Sequence, residues 1–394
     1  MGIIARQSIK GTIVTYLGVA VGFVTTFFVL TRFLTTEEIG LARVLIDAAT
    51  LFVGLAQMGT SSSIIRFFPY FREQNIGGHN AHHGFFFWAV IVPFIGFLLF
   101  TTIFWACHVP LSNWFSEKSS LFVDYYYFVL PIAFFLLYQT IFETSANALM
   151  RIVVPRAVRE LVVRIGLLVI YLLYAFDVLT MDGFVIAISL NYAIAALINI
   201  LYVCIYGHLS FRPDWQFLRE HRALVREYLL YTGFLFVSAL TSVMAPTLSS
   251  FFITAQMGLN YTGIFAIATY MAVMVSIPYR SLTAIASPQL AAAIKENDQI
   301  QCKTLIQQVC SNTFLVGTFI FMLIWVNIDL IFHILPNGET FASARNVVFI
   351  LALSQLVMAT FSITQTALSY SRYYAFTLLF SCILTICSIL FNNC

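Results

Sequence analysis

Long apolar runs follow one another along almost the whole of this 394-residue chain. Each run is about 20 residues long, which at 1.5 Å per helical residue is enough to cross a hydrocarbon core about 30 Å thick. Hydrophobic residues make up 60% of the chain and charged residues only 9%, a balance that no soluble domain has. The runs cover residues 11–34, 40–66, 84–107, 122–146, 161–179, 183–206, 229–254, 261–287, 305–328, 344–369 and 374–391. We therefore predict an all-α polytopic membrane protein with about eleven transmembrane helices.

Positive charges are divided unevenly between the two sides of these predicted helices. If the amino terminus is cytoplasmic, the non-cytoplasmic side holds four of the 20 Lys and Arg residues, namely Arg32, Arg43, Lys118 and Arg345. The other sixteen then lie at cytoplasmic ends and loops, as the positive-inside rule requires. This distribution predicts a cytoplasmic amino terminus.

One long polar interruption, residues 207–228, divides the chain into two predicted lobes. Its apolar side chains recur at helical spacing while Arg219, Arg222 and Arg226 share another face, which predicts an amphipathic linker helix on the cytoplasmic membrane surface. The helix is either a plain connector or a specific site for anionic lipid. We predict a six-helix amino-terminal lobe over 1–206 and a carboxyl-terminal lobe of about five helices over 229–394. Because this leaves the second lobe one helix short, we favour a chain truncated from a longer one over an unusual pairing of the last span.

A short motif near the start of the second predicted span returns in the second lobe. Glu37-Glu38-Ile39-Gly40 follows the first span of one lobe, and Asn260-Tyr261-Thr262-Gly263 follows the first span of the other. Each motif leads into another long apolar run, which contains Gly59 in the first lobe and Pro278 in the second. Over almost the whole chain this pattern resembles the polysaccharide-transport flippases, in the superfamily that also holds multidrug antiporters and lipid II flippases.

The resemblance implies a fold and a function. It implies two homologous helical bundles around a central cavity, from a fold that usually has twelve to fourteen spans. It also implies alternating access that carries a polyprenyl-diphosphate-linked oligosaccharide, such as an O-antigen or capsule repeat unit, across a bacterial inner membrane to the outer leaflet. The expected partners are this lipid-linked oligosaccharide, membrane lipids, and the polysaccharide polymerase and glycosyltransferases of the same pathway. Nucleic acid is not expected.

Charged residues inside the predicted spans are the first candidates for a functional site, because each costs about 2.5–3.5 kcal/mol or more at the bilayer centre. Asp47 lies one helical turn after Arg43, so the two either neutralise each other or form an outer gate with a coupling carboxylate. Arg66, Glu143 and Arg280 lie near the inner ends of their spans. They either snorkel to the interface or form a cationic rim for a diphosphate, with Glu143 pairing with an Arg while the site is empty.

Prolines and hydroxyl groups suggest how the spans bend and pack. Pro246 and Pro278 are predicted helix hinges, because proline lacks the backbone donor that a continuous helix uses. Ser and Thr residues of the first span of each lobe, such as Thr15 and Ser250, either line a polar cavity or hold helices together.

Motifs for chemistry are weak in this sequence. The loop histidines His79, His82 and His83 have no carboxylate or cysteine at ligand spacing, and no Ser-His-Asp arrangement or phosphate-binding glycine loop occurs. We therefore predict no catalytic residue, no metal site and no cofactor.

Two alternatives to the flippase stay open. One is a cation-coupled multidrug antiporter of the same superfamily, although residues 11–34 lack the acid typical of that class, and the other is a membrane acyl- or glycosyltransferase.

Overall fold

A computed structural model describes residues 3–71, 84–149, 151–207, 215–220, 222–296 and 298–370, with isolated positions between 376 and 390. In these ranges the chain is helical and has no β-strand. The helices up to residue 207 are α1 (Ile3–Val24), α2 (Thr31–Phe33), α3 (Thr36–Ala56), α4 (Thr60–Phe71), α5 (Phe85–Ala106), α6 (His108–Ser116), α7 (Ser120–Tyr125), α8 (Val129–Ala148), α9 (Val153–Ala157), α10 (Val163–Ala175) and α11 (Met181–Gly207). They are followed by α12 (Trp215–Glu220), α13 (Arg222–Gln256), α14 (Leu259–Val273), α15 (Ile277–Lys295), α16 (Gln299–Val326), α17 (Ile328–Ile334), α18 (Gly338–Ala342) and α19 (Arg345–Tyr370).

Eight helical segments of the described ranges are long and apolar enough to cross a membrane. They are Ile13–Phe33, Thr36–Ala56, Phe85–Ala106, Ser120–Ala148, Met181–Tyr206, Leu259–Tyr279, Gln299–Val326 and Arg345–Leu368. The predicted all-α polytopic class is thereby confirmed. Of the other three predicted spans, 161–179 contains the short helix α10, 229–254 lies within α13, and 374–391 falls largely outside the described residues.

The second predicted span, 40–66, is not one helix. It is divided into α3 and α4 by a turn in which Met58 has φ 47° and Gly59 has φ 74°. Gln57 and the hydroxyl residues 60–63 lie at this turn, but a hydropathy average taken over a whole span does not reveal the break. Gly59 allows the chain to break between α3 and α4, because glycine adopts positive φ without a steric cost.

Two π-helical turns widen helices of the amino-terminal half. One, Thr25–Leu30, lies between α1 and α2, and the other, Val158–Val162, lies between α9 and α10. The first is braced by Thr31, whose Oγ1 donates a hydrogen bond to the carbonyl oxygen of Phe27 at 2.7 Å. A π turn adds a residue to the helical repeat and so shifts which side chains share a face; such turns are frequent at functional sites.

By its internal contacts the chain forms two compact units. The first unit comprises residues 1–21, 44–256 and 387–394, and the second comprises 22–43 and 257–386. The first includes a buried cluster of Tyr138, Phe142, Ala146 and Val203, which joins α8 to α11. In the second, Ala286, Leu290, Val309 and Ile363 join α15, α16 and α19. These boundaries differ from 207–228, which the sequence suggests from its polarity, and the division into lobes 1–206 and 229–394 stays a prediction.

Candidate functional site in the first unit

An ionic cluster lies among α8, α10 and the π turn between α9 and α10. We define it as Glu143, Arg156, Arg159, Glu160 and Arg164. Glu143 and Glu160 are both buried, on α8 and on the π turn, whereas Arg159 is exposed. Buried carboxylates inside a membrane protein are costly unless they are paired, so their partners define what the cluster can do.

Two arginines hold the two carboxylates. Arg159 Nη1 lies 3.0 Å from Glu143 Oε1, and its Nε lies 3.4 Å from Glu160 Oε1. The second oxygen of Glu160 accepts a hydrogen bond from Arg164 Nη2 at 2.8 Å. Arg164 also donates through Nη1 to the carbonyl oxygen of Gly18 at 2.9 Å, which ties the cluster to α1. The cluster thus links three separate segments of the first unit.

Glycines on α1 allow this close approach. A Cβ at Gly18 would lie 2.4 Å from the carbonyl oxygen of Glu160, and a Cβ at Gly11 would lie 3.0 Å from Arg156 Nη1. The cluster therefore holds three arginines against two carboxylates and carries an excess of one positive charge. Such a cluster favours the binding of an anion. Arg159 is its most accessible cation, with a side chain that is 51% exposed.

A second polar group joins α4 to α13 in the same unit. Arg66 forms an ion pair of 3.0 Å with Glu227 and lies over the ring of Tyr231 at 4.1 Å. Next to it, the buried hydroxyl groups of Ser63 and Thr232 are 2.7 Å apart. Both charged side chains of the ion pair are about half exposed, so the pair contributes little to stability and opens at little cost.

The residues that the sequence singled out are distributed over both units. Glu143 pairs with Arg159, and Arg66 pairs with Glu227. Asp47 is buried on α3 and Arg43 on the same helix is partly buried, the two belonging to different units. Arg280 lies within α15, but its side chain is outside the described residues. The histidines 79, 82 and 83 also lie outside them.

Pro246 and Pro278, the two predicted hinges, both lie within continuous helices. α13 continues through Pro246 without interruption. Pro278 is the second residue of α15, directly after the 3₁₀ turn Met274–Ser276, a position near a helix start where proline is well tolerated. A bending role for either residue stays a prediction.

Sequence reasoning missed the roles of Arg159, Glu160 and Arg164. The arginines counted only toward the positive-inside balance, and Glu160 attracted no attention among them. The available signal was the spacing of Glu160 and Arg164, four residues apart, which is favourable for an ion pair on one helix face. Arg159 lies within the π turn, which leaves no recognisable pattern in the sequence.

A separate apolar cavity of about 480 Å³ lies elsewhere in the first unit. Its walls come mainly from α3, α5, α6 and the end of α13, and they include Phe52, Phe104, Trp114 and Phe251. Such walls offer almost no hydrogen bonds, so this cavity suits neither sugars nor a diphosphate. The hydroxyl group of Thr15, which the sequence suggested for a polar cavity, donates a hydrogen bond to the carbonyl oxygen of Gly11 in its own helix instead.

Solved structures with the same fold are membrane transporters. One is an inward-facing multidrug resistance transporter of the MATE family in the MOP superfamily (TM-score 0.62, 15% identity), with alignment over 97% of this chain and 94% of that one. Another is a mutant MATE transporter from Vibrio cholerae (TM-score 0.66, 16% identity, 96% of this chain and 86% of that one). A third is a MOP superfamily transporter from Pyrococcus furiosus, described as having a binding pocket of reversed polarity (TM-score 0.58, 15% identity, 99% and 94%). At these identities the likeness shows the fold alone.

No curated protein matches the chain. Residues 4–292, well over half of the sequence, match the family described as polysaccharide biosynthesis protein. The matched residues include the ionic cluster, all of α3 and all of α14. The chain therefore belongs to the polysaccharide biosynthesis protein family and has the fold of MOP superfamily transporters.

Proposed function

We propose that this protein moves a polyprenyl-diphosphate-linked oligosaccharide from the cytoplasmic to the outer leaflet of a bacterial inner membrane, for the assembly of a surface polysaccharide. The family and the transporter fold support a carrier, and alternating access is the mechanism by which paired helical repeats usually work. The expected partners are the lipid-linked oligosaccharide, the surrounding lipids, and the polymerase and glycosyltransferases that use and supply the cargo.

The observation that carries the proposal is the position of Arg159 between two buried carboxylates. The side chain of Arg159 is half exposed, whereas those of Glu143 and Glu160 are buried. A diphosphate can take over the exposed donors of Arg159 bidentately, as guanidinium groups commonly bind phosphate oxygens. Glu160 keeps Arg164 when this happens, so the exchange leaves that buried carboxylate paired.

Arg66 and Arg280 are the further cations of the proposed site. Arg66 is held by an exposed pair that is easily opened, and Arg280 is its counterpart in the second repeat. Each of these cations is a proposed contact for the diphosphate on the side of the membrane where the lipid-linked oligosaccharide is made. The proposed gate and coupling roles of Arg43 and Asp47 belong to a later step of the same cycle.

Substitution of Arg159 tests this function directly. We expect Arg159→Lys to impair export of the glycan almost as strongly as Arg159→Ala, because an ammonium group cannot make the bidentate contact. The measurement is the amount of lipid-linked glycan on each leaflet in cells that lack the native gene and carry each variant. Arg151→Ala is a matched control, because Arg151 is an exposed arginine close in sequence that lies over the ring of Tyr206.

Full export with Arg159→Lys would show that the residue acts only as a charge and that the diphosphate site lies elsewhere. The same comparison of Lys and Ala at Arg280 then asks whether the second repeat holds it. Membrane levels of each variant are compared in parallel, so that loss of protein is not taken for loss of transport.

A cation-coupled multidrug antiporter is the second candidate. The buried carboxylates Asp47, Glu143 and Glu160, and the multidrug transporters among the solved structures, favour it. Cells lacking the gene would then become sensitive to cationic drugs and would keep a normal surface polysaccharide. A membrane acyl- or glycosyltransferase would instead leave its acceptor unmodified, with no accumulation on either leaflet.

A further inference from the structure

The helices α3 and α14 cross within the second unit at two glycines. A Cβ at Gly40 would lie 2.1 Å from the carbonyl oxygen of Leu259, and a Cβ at Gly263 would lie 2.0 Å from the carbonyl oxygen of Thr36. Real Cβ atoms essentially never come so near a backbone atom. The two helices therefore touch backbone to backbone, which only glycine permits.

The contact is reciprocal. Gly40 is the fifth residue of α3 and faces the first residue of α14, while Gly263 is the fifth residue of α14 and faces the first residue of α3. These are also the glycines with which the two repeated sequence motifs end. Matching positions that face each other in this way are expected of a contact around a two-fold axis between repeats.

Polar contacts fix the two helix starts at this crossing. Thr36 Oγ1 lies 2.7 Å from Asn260 Oδ1, so the two starts also touch through side chains. On the α3 side, Glu38 accepts a hydrogen bond from the backbone N–H of Thr35 at 2.8 Å, and Thr35 Oγ1 accepts one from the N–H of Glu38 at 3.3 Å. This reciprocal capping makes the start of α3 well defined.

The helix α3 is shared between the two units. Its residues up to Arg43 belong to the second unit, and those from Val44 onward belong to the first. A motion that separates the two sequence repeats at this end of the membrane must break the crossing, because α3 belongs to the first repeat and α14 to the second. The charge distribution predicts that this end is the outer one.

We infer that the crossing at Gly40 and Gly263 is the closed outer gate of the carrier. The gate closes by backbone contact, so its tightness depends on the absence of a side chain at both glycines. A single methyl group at either position holds the helices apart and shifts the carrier toward an outward-open state. This inference rests on alternating access but not on the identity of the cargo.

Labelling of a buried cysteine tests the gate without any transport assay. Thr262 is fully buried beside Gly263, so Thr262→Cys should react slowly with a membrane-impermeant maleimide added from outside. We expect Gly40→Ala and Gly263→Ala each to raise this rate several-fold. The matched control is Gly233→Ala, because a Cβ at Gly233 meets nothing within 4 Å. The seven native cysteines are first replaced by serine, and each protein is checked for folding by its unfolding temperature.

A cross-link gives an independent test that does not rely on the glycine variants. Thr36→Cys with Asn260→Cys places two thiols at the crossing, and oxygen with a copper catalyst oxidises them to a disulfide. We expect the disulfide to stop glycan export and dithiothreitol to restore it, while the oxidant does not change export by either single-cysteine variant. If the cross-linked protein exports at the parent rate, or if neither alanine variant changes the labelling of folded protein, the crossing is a fixed joint. If only the glycan-export assay fails, the proposed cargo is wrong, and the labelling result still tests the gate.

Discussion

Arg164 joins two segments of the first unit, α1 and the π turn before α10. Its two terminal nitrogens contact Glu160 and the carbonyl oxygen of Gly18, at 2.8 and 2.9 Å. About a quarter of its side chain is exposed, while Glu160 is almost completely enclosed. The guanidinium group therefore neutralises a buried charge and fastens α1 with the same side chain.

We expect Arg164→Ala to destabilise the protein by about 3 kcal/mol, because removing one partner of a buried ion pair leaves the other charge uncompensated. The change in unfolding temperature in detergent measures this effect. Glu160→Gln combined with Arg164→Met should recover most of the loss, since neither residue then carries a charge. An unchanged unfolding temperature for Arg164→Ala would show that Arg159 alone satisfies Glu160.

At the scale of single elements, close helix contacts depend on glycines. The atoms next to these glycines differ in how easily they can move aside. Gly18 lies against the backbone of Glu160, which cannot move away without distorting the π turn. Gly11, two turns earlier on α1, lies against the end of the Arg156 side chain, which can rotate. The two positions differ in what they touch, although both are glycines of one helix.

Gly18→Ala should therefore be clearly destabilising, by about 1–3 kcal/mol as for other overpacked sites, whereas Gly11→Ala should be close to neutral. Unfolding temperatures of the two purified variants under identical conditions test this difference. If both variants unfold at the same temperature, the approach of α1 to the π turn is looser than the structure indicates.

Hydropathy predicts the positions of most helices here, because length and apolar composition alone decide which segments cross a membrane. It does not predict the break at Met58 and Gly59, since two left-handed residues change no hydrophobic average. Glu143 was found from its cost inside a span, but its partner Arg159 was not, since an arginine at the cytoplasmic side already has an explanation. Gly40 and Gly263 were visible as a repeat, and only the structure brings them together.

For the molecule as a whole, the sidedness of the membrane decides which end is the gate and which receives cargo. The predicted spans place sixteen of the 20 Lys and Arg residues on the side of the amino terminus, so the reversed orientation would violate the positive-inside rule. Arg219, Arg222 and Arg226 of α12 and α13 are exposed and are predicted to lie on the same side.

We expect the amino terminus and residues 207–228 to face the cytoplasm. A single cysteine at position 219 should resist an impermeant thiol reagent in cells whose outer membrane is permeabilised, and should react once the inner membrane is opened. Lys118→Cys is the opposite control, since it is predicted to face outward. Efficient labelling at position 219 before the inner membrane is opened would reverse the orientation and place the glycine crossing on the cytoplasmic side.

The ionic cluster also constrains how the protein is made. Glu143 enters the membrane on α8, whereas its partner Arg159 follows sixteen residues later, after the chain has turned back. Until then the carboxylate has to remain near water or near the insertion machinery, because a lone charge in hydrocarbon costs several kcal/mol. We therefore expect the segments on either side of residue 150 to insert together as a helical hairpin.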